Sequence, residues 1–190
     1  MGNELKFFLD MDGVIVGFLE GCAELFNSPL DIHKDWPKGC WGDDKIMEKF
    51  FGCSGNEFWN QLRTDYFWAN LPWSFDGLEI ISILYQHKPI ILTSPINGGA
   101  DGKISWIKNQ LPDYHKDGRY MIGSGKHYIA TNNYVLIDDH DDNIQAWEKA
   151  GGVGILYPRP WNSLHWVLDF DSAINYFKRD VDRAVRFSKF

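Results

Sequence analysis

Four short apolar runs punctuate the chain, and polar or acidic residues follow most of them. Leu5-Lys6-Phe7-Phe8-Leu9 leads into Asp10, Pro89-Ile90-Ile91-Leu92 into Thr93 and Ser94, and Tyr134-Val135-Leu136-Ile137 into Asp138 and Asp139. Gly154-Ile155-Leu156-Tyr157 leads into Pro158. Unbroken apolar runs of this length fit strands buried on both faces, which predicts a parallel sheet. Helix-like patterns over 77–86, 104–110 and 142–150 separate them, the last stopped by Gly151-Gly152, and an amphipathic pattern over 171–187 closes the chain. Strands alternating with helices define an α/β fold, a Rossmann-like parallel sheet with helices on both faces.

The interval after the first run is too long for one crossover. Residues 17–73 carry turn signals at Asn27-Ser28-Pro29, Trp36-Pro37-Lys38-Gly39 and Gly52-Cys53-Ser54-Gly55 around helical segments. This stretch is predicted to be a small helical cap inserted after the first strand, with 1–16 and 74–190 forming the α/β core. No internal repeat or low-complexity segment is visible.

Composition narrows the picture. A chain of 190 residues fits one domain with a small insertion, and 44% hydrophobic and 24% charged residues are ordinary for a globular protein. Nine Trp are many for this length: they fit a core packed with rings, or a pocket that stacks flat ones. The net charge of -7 argues against a grip on long nucleic acid but leaves a small phosphorylated ligand open, because a local cation reverses the sign inside one cleft. Cys22, Cys40 and Cys53 form no close pair and are expected as reduced thiols in a cytoplasmic protein. The N-terminal residues do not read as a signal peptide, no run reaches transmembrane length, and Met1-Gly2-Asn3 lacks the Ser or Thr at position 6 of a myristoylation start.

The candidate chemistry follows from where the polar residues fall. Ligands of an open parallel sheet bind beyond the carboxyl ends of its strands. Three runs deliver Asp10 and Asp12, Thr93 and Ser94, and Asp138 and Asp139 to that edge. Any one of these could be a turn or helix cap; three in series weaken that reading. Clustered carboxylates call for a cation between them, and hard oxygen ligands suit Mg²⁺.

These residues carry a resemblance. Asp10-Met11-Asp12-Gly13-Val14 resembles the first motif of the haloacid dehalogenase superfamily of phosphatases, Leu92-Thr93-Ser94 the second, Lys126 the third and Asp138-Asp139 the fourth. The resemblance implies that Asp10 attacks phosphorus and Asp12 serves as acid and then base. Mg²⁺ would be held by Asp10, the backbone carbonyl of Asp12 and Asp139, with Asp138 behind them. Thr93 and Lys126 would contact the transferring phosphoryl group, Lys103 and Lys108 being the other lysines in range. Asp at the second position favours a phosphatase over a dehalogenase.

A finer resemblance is to the 5'(3')-deoxyribonucleotidases, including phage and bacterial types. It rests on D-M-D-G-V, on Thr93-Ser94-Pro95-Ile96, on the K-H-x-x-A stretch at 126–130 and on L-I-D-D at 136–139. It implies a nucleoside monophosphate as substrate, with Ser94, Phe18, Trp41, Trp68 and His140 as substrate contacts; Trp59, Phe67 and Trp73 lie nearby in sequence. These rings could equally fill the cap's own core. Residues 31–54 do not match the mammalian-type enzymes, and His140-Asp141-Asp142-Asn143 stands where those have an Arg. Arg159 reads as a surface charge or a phosphate contact. A membrane or long nucleic acid is not expected as partner, and the chain is expected as a monomer or homodimer. Two other readings are a phosphatase of the same superfamily for a different phosphorylated metabolite, and a catalytically weak nucleotide-binding module.

Overall fold

A computed structural model describes residues 5–42, 44–95, 99–167 and 169–187. Met1-Gly2-Asn3 and Ile96 lie outside the described residues. Five strands form one parallel sheet: β1 (Lys6–Leu9), β2 (Ile90–Thr93), β3 (Tyr120–Ile122), β4 (Tyr134–Asp138) and β5 (Val153–Leu156), in the order β3-β2-β1-β4-β5. The four expected strands are present. β3 is a three-residue edge strand, half-buried at Tyr120 and Ile122 and exposed at Met121, and its apolar run is too short to stand out in the sequence.

Alternation along the strands explains the two faces. Phe7, Leu9, Ile91, Val135, Ile137 and Ile155 join one apolar cluster with Ile80 and Leu84 of helix α6 (Gly77–Leu84), Ile107 of α7 (Ala100–Gln110) and Phe177 of α10 (Phe170–Phe187). Phe8, Leu92 and Leu136 point to the other face and pack with Ile144 and Trp147 of α9 (Asp141–Lys149). The predicted helices over 142–150 and 171–187 correspond closely to α9 and α10. The one over 77–86 passes into a 3-10 turn at Tyr85–His87, and the one over 104–110 begins earlier, at Ala100. A short helix α8 (Pro112–Lys116), which the sequence pattern does not announce, follows α7.

Between β1 and α6 lie α1 (Phe18–Leu25), α2 (Ile32–Asp35), α3 (Asp44–Phe51), α4 (Gly55–Gln61) and α5 (Asp65–Ala69). The chain leaves and returns through one neck, where the Gly17 amide donates to the Pro72 carbonyl at 2.9 Å and the Ser74 amide to that of Ile15 at 2.9 Å. The helices are held by buried rings with satisfied polar atoms. Trp68 donates to the Leu62 carbonyl at 2.7 Å, Trp106 to that of Leu71 at 2.8 Å, and Trp36 to that of Cys40 at 3.0 Å. Ser54 and Glu57 form a capping box at the start of α4. The three cysteines are free thiols. Among the described residues no helix is long and apolar enough to cross a membrane.

α5 and α7 meet closely at Gly102. A Cβ there would sit 2.5 Å from the Asp65 carbonyl oxygen and 2.6 Å from Cβ of Trp68, and the Asp65 carboxylate accepts from the Gly102 amide at 3.1 Å. Gly102→Ala should therefore destabilise the protein by about 1–3 kcal/mol through overpacking. This outweighs the gain of about 1 kcal/mol that alanine brings to a helix interior. Urea unfolding checks the sign; an increase in stability would mean the two helices separate at little cost.

Candidate active site

The sheet order sets β1 between β2 and β4, so the polar residues at three strand ends converge. The Asp10 amide continues the ladder by donating to the Ile137 carbonyl at 2.9 Å. Asp10 is buried, at 7% exposure, and its Oδ1 accepts from the Met11 amide at 2.7 Å and from Lys126 Nζ at 2.8 Å. Both donors hold one oxygen and leave Oδ2 unengaged by them. Burial pushes the Asp10 carboxyl up to about 6, against the opposing pull of Lys126.

Lys126 reaches this point from a tight turn. Gly125, at φ +74°, adopts the left-handed conformation and opens a 3-10 turn at Lys126–Ile129. The lysine is buried between Asp10 and Asp138, with Nζ 2.7 Å from Asp138 Oδ2. Burial disfavours its charge, yet the two carboxylates hold its pKa above the usual lysine range. Asp138 also accepts from the His140 amide at 2.9 Å and from Asn143 Nδ2 at 3.0 and 3.1 Å. It is thus encircled by donors.

Asp139 is treated differently. Its Oδ2 accepts from the Trp161 indole at 2.6 Å, and burial, then the charges of Asp138 and Asp10, push its carboxyl well above the usual range. Oxygens of Asp10, Asp138 and Asp139 lie within 4.8 Å of one another, all three residues buried. Three buried carboxylates and one lysine leave a negative excess, which a divalent cation would offset. The donor set is all oxygen and fits Mg²⁺, with Asp10 and Asp139 the ligands left for it once Lys126 and Asn143 have taken Asp138.

Asp12 lies three residues past the strand. Lys103 of α7, fully buried, donates to Asp12 Oδ2, to Thr93 Oγ1 at 2.8 Å and to the Ser94 carbonyl at 2.8 Å. Asp12 Oδ1 is buried and has no hydrogen-bond partner among the described residues. Burial raises the Asp12 pKa although Lys103 opposes it. The site therefore holds two lysines, Lys126 at Asp10 and Lys103 at Asp12. Lys108 is exposed on the same helix.

The predicted substrate contacts divide. Trp41 is half-buried, with its ring 5.6 Å from those of His140 and Trp161, so this group lies beside Asp139. Ser94 donates to the Gly123 carbonyl at 3.3 Å. Phe18 is 2% exposed and stacks on Trp68 at 5.6 Å, with Trp59 at 6.4 Å and Phe67 edge-on. Trp68 is fully buried, and Lys103 Nζ lies 4.9 Å from its ring centre. The surface-charge expectation for Arg159 does not hold: the side chain is 3% exposed and paired with Asp76 at 2.7 Å. Trp161 and Asp76 carry no sequence signal that marks them, because their partners lie 22 and 83 residues away in the chain.

The fold is that of known hydrolases. A haloacid dehalogenase-like hydrolase from Burkholderia xenovorans superposes over 96% of this chain and 98% of its own, with a TM-score of 0.57 at 15% identity. A haloacid dehalogenase-like family protein from Streptococcus pneumoniae matches over 93% and 92%, with a TM-score of 0.51 at 13% identity. A phosphonoacetaldehyde hydrolase-like protein from Oleispira antarctica matches over 97% and 86%, with a TM-score of 0.50 at 12% identity. At such identities the likeness establishes the haloacid dehalogenase-like α/β fold. No protein-family model matches the sequence, and no curated protein is similar to it in sequence.

The indole of Trp161 is expected to orient Asp139 for a cation. Trp161→Phe keeps the ring and removes the donor, and should weaken Mg²⁺ binding by about 10–100-fold in calorimetric titration. Unchanged affinity would show that Asp139 is oriented without the indole.

Proposed function

We propose that the chain is a Mg²⁺-dependent phosphomonoester hydrolase working through an aspartyl phosphate on Asp10, with nucleoside monophosphates as its substrates. The observation that carries this reading is a pair of aspartates each gripped by a lysine through one oxygen: Asp10, buried, on Lys126, and Asp12, half-buried, on Lys103, the second oxygen of Asp12 having no hydrogen-bond partner among the described residues. Asp10 attacks phosphorus as a carboxylate while the bond to the leaving oxygen breaks. Asp12, whose burial favours the protonated form, gives its proton to that oxygen. It then takes a proton from water as the water oxygen attacks phosphorus and Asp10 departs as a carboxylate. Lys126 offsets charge at the nucleophile, and Lys103 holds Asp12 and Thr93 in place. Mg²⁺, when bound, would neutralise the phosphoryl oxygens and help align them with Asp10.

The nucleotide part rests on the resemblance to the deoxyribonucleotidases and on the Trp41, His140 and Trp161 rings beside Asp139. Base stacking on such rings contributes about 1–3 kcal/mol. Residues 17–73 would act as the cap of a core made of 1–16 and 74–190, in a cytoplasmic monomer or homodimer. A second reading, a phosphatase for another small phosphorylated metabolite, is favoured by one observation: Phe18 and Trp68 are spent on each other inside the helical segment.

A panel of deoxy- and ribonucleoside monophosphates, sugar phosphates and a small aryl phosphate tests both readings. Nucleotides should be hydrolysed fastest; a sugar phosphate ahead of them would select the second reading. Chelation should abolish turnover, Mg²⁺ should restore it, and Ca²⁺, with its larger and looser coordination, should inhibit. Asp10→Asn should leave the fold intact and reduce turnover to below about a hundredth, beyond what acid–base and metal effects alone sustain. Substantial activity in that variant would assign the nucleophile elsewhere.

A further inference from the structure

We propose that Arg159 is a positioning residue that fixes the loop bearing Asp12 and so sets where the proton donor meets the leaving oxygen; this rests on the reading of Asp12 as the acid. The loop is folded on itself along its inner side. The amides of Val14, Ile15 and Val16 all turn to the Met11 carbonyl, at 3.3, 3.0 and 2.9 Å, and the Gly13 amide donates to the Val16 carbonyl at 2.9 Å. That folding sends the carbonyls of Gly13 and Val14 outward. Arg159 receives both, its Nε donating to Gly13 and its Nη2 to Val14 at 2.8 Å.

The guanidinium is itself locked. It forms a two-pronged pair with Asp76, at 2.8 and 2.7 Å, and Asp76 accepts further from the Tyr157 hydroxyl at 2.6 Å and from Ser74 Oγ at 3.2 Å. Burial works to raise the Asp76 pKa, but the hydrogen bond and charge of Arg159 prevail and keep it lowered. One planar cation thus joins three distant stretches: the loop after β1, the return of the neck before α6, and the turn after β5. A lysine could not repeat this, because it lacks the forked donors.

The two aspartates depend on this clamp unequally. Asp10 is held by the strand ladder, the Met11 amide and Lys126. Asp12 lies beyond the ladder, next to Gly13 at φ +74°, with Lys103 as its side-chain partner. Loosening the outer side of the loop moves the acid while the nucleophile stays.

A leaving-group series separates this from a structural role. For the full-length protein with Mg²⁺, kcat/KM is measured on alkyl, phenyl, nitrophenyl and dinitrophenyl phosphates, since poor leaving groups need the proton and good ones do not. Arg159→Lys should lose about 10–100-fold on alkyl and phenyl phosphate, the size expected for a misplaced catalytic group, and little on dinitrophenyl phosphate. Asp76→Asn keeps the arginine but loosens it, and should steepen the same dependence to a smaller degree even if Arg159→Lys does not fold. Tyr157→Phe, which leaves the guanidinium on the loop, should lower the melting temperature without steepening it. A loss equal across all leaving groups in Arg159→Lys and Asp76→Asn would overturn the proposal, provided Asp12→Asn shows the steep dependence. If Asp12→Asn also loses activity uniformly, the acid assignment itself falls, and this proposal with it.

Discussion

Three carboxylates buried within a few ångströms of one another are the constraint around which this molecule is arranged. Asp10, Asp138 and Asp139 are carried on neighbouring strands, and the β2-β1-β4 order that stabilises the sheet also forces their charges together. In a low-dielectric interior such repulsion is tolerated only with compensation. The chain supplies it in graded fashion. Lys126 bridges Asp10 and Asp138, Asn143 and a backbone amide complete Asp138, and a single indole attends Asp139. What remains is a site short of one positive centre, a shortfall that a divalent cation would offset.

The strands and their acidic ends were readable because burial on both faces leaves an uninterrupted apolar run, and a polar residue after it stands out. Edge strand β3 lacks that contrast. Lys126 stands out by its place before the fourth motif, whereas the sequence leaves Lys103 level with Lys108 as an alternative: what singles it out is its contact with Asp12, 91 residues away. Arg159 was misleading for the same reason. A charged residue between two prolines in a loop usually faces water, and only the fold brings Asp76, 83 residues away, into its grasp.

The aromatic richness resolves into two populations. Trp106 and Trp147 fill the sheet's two faces, while Phe18, Trp59, Phe67 and Trp68 pack inside the helical segment. Trp41, half-buried, stacks on Phe18 with one side and meets the buried Trp161 beside the acidic cluster with the other. Composition alone cannot separate these roles, because a ring that packs and a ring that waits for a ligand have the same chemistry. Position relative to the carboxylates separates them.

Gly13 ties the loop and the cluster into one problem of shape. Its backbone is left-handed, and the place a Cβ would occupy is already filled by the Asp139 carboxylate. The loop of β1 and the end of β4 therefore interlock without a side chain between them. In evolutionary terms, position 13 is a locked letter: any side chain there must displace the Asp139 carboxylate and strain the turn in the same step. A chain that exchanges this glycine while keeping both aspartates must rebuild its acidic pocket.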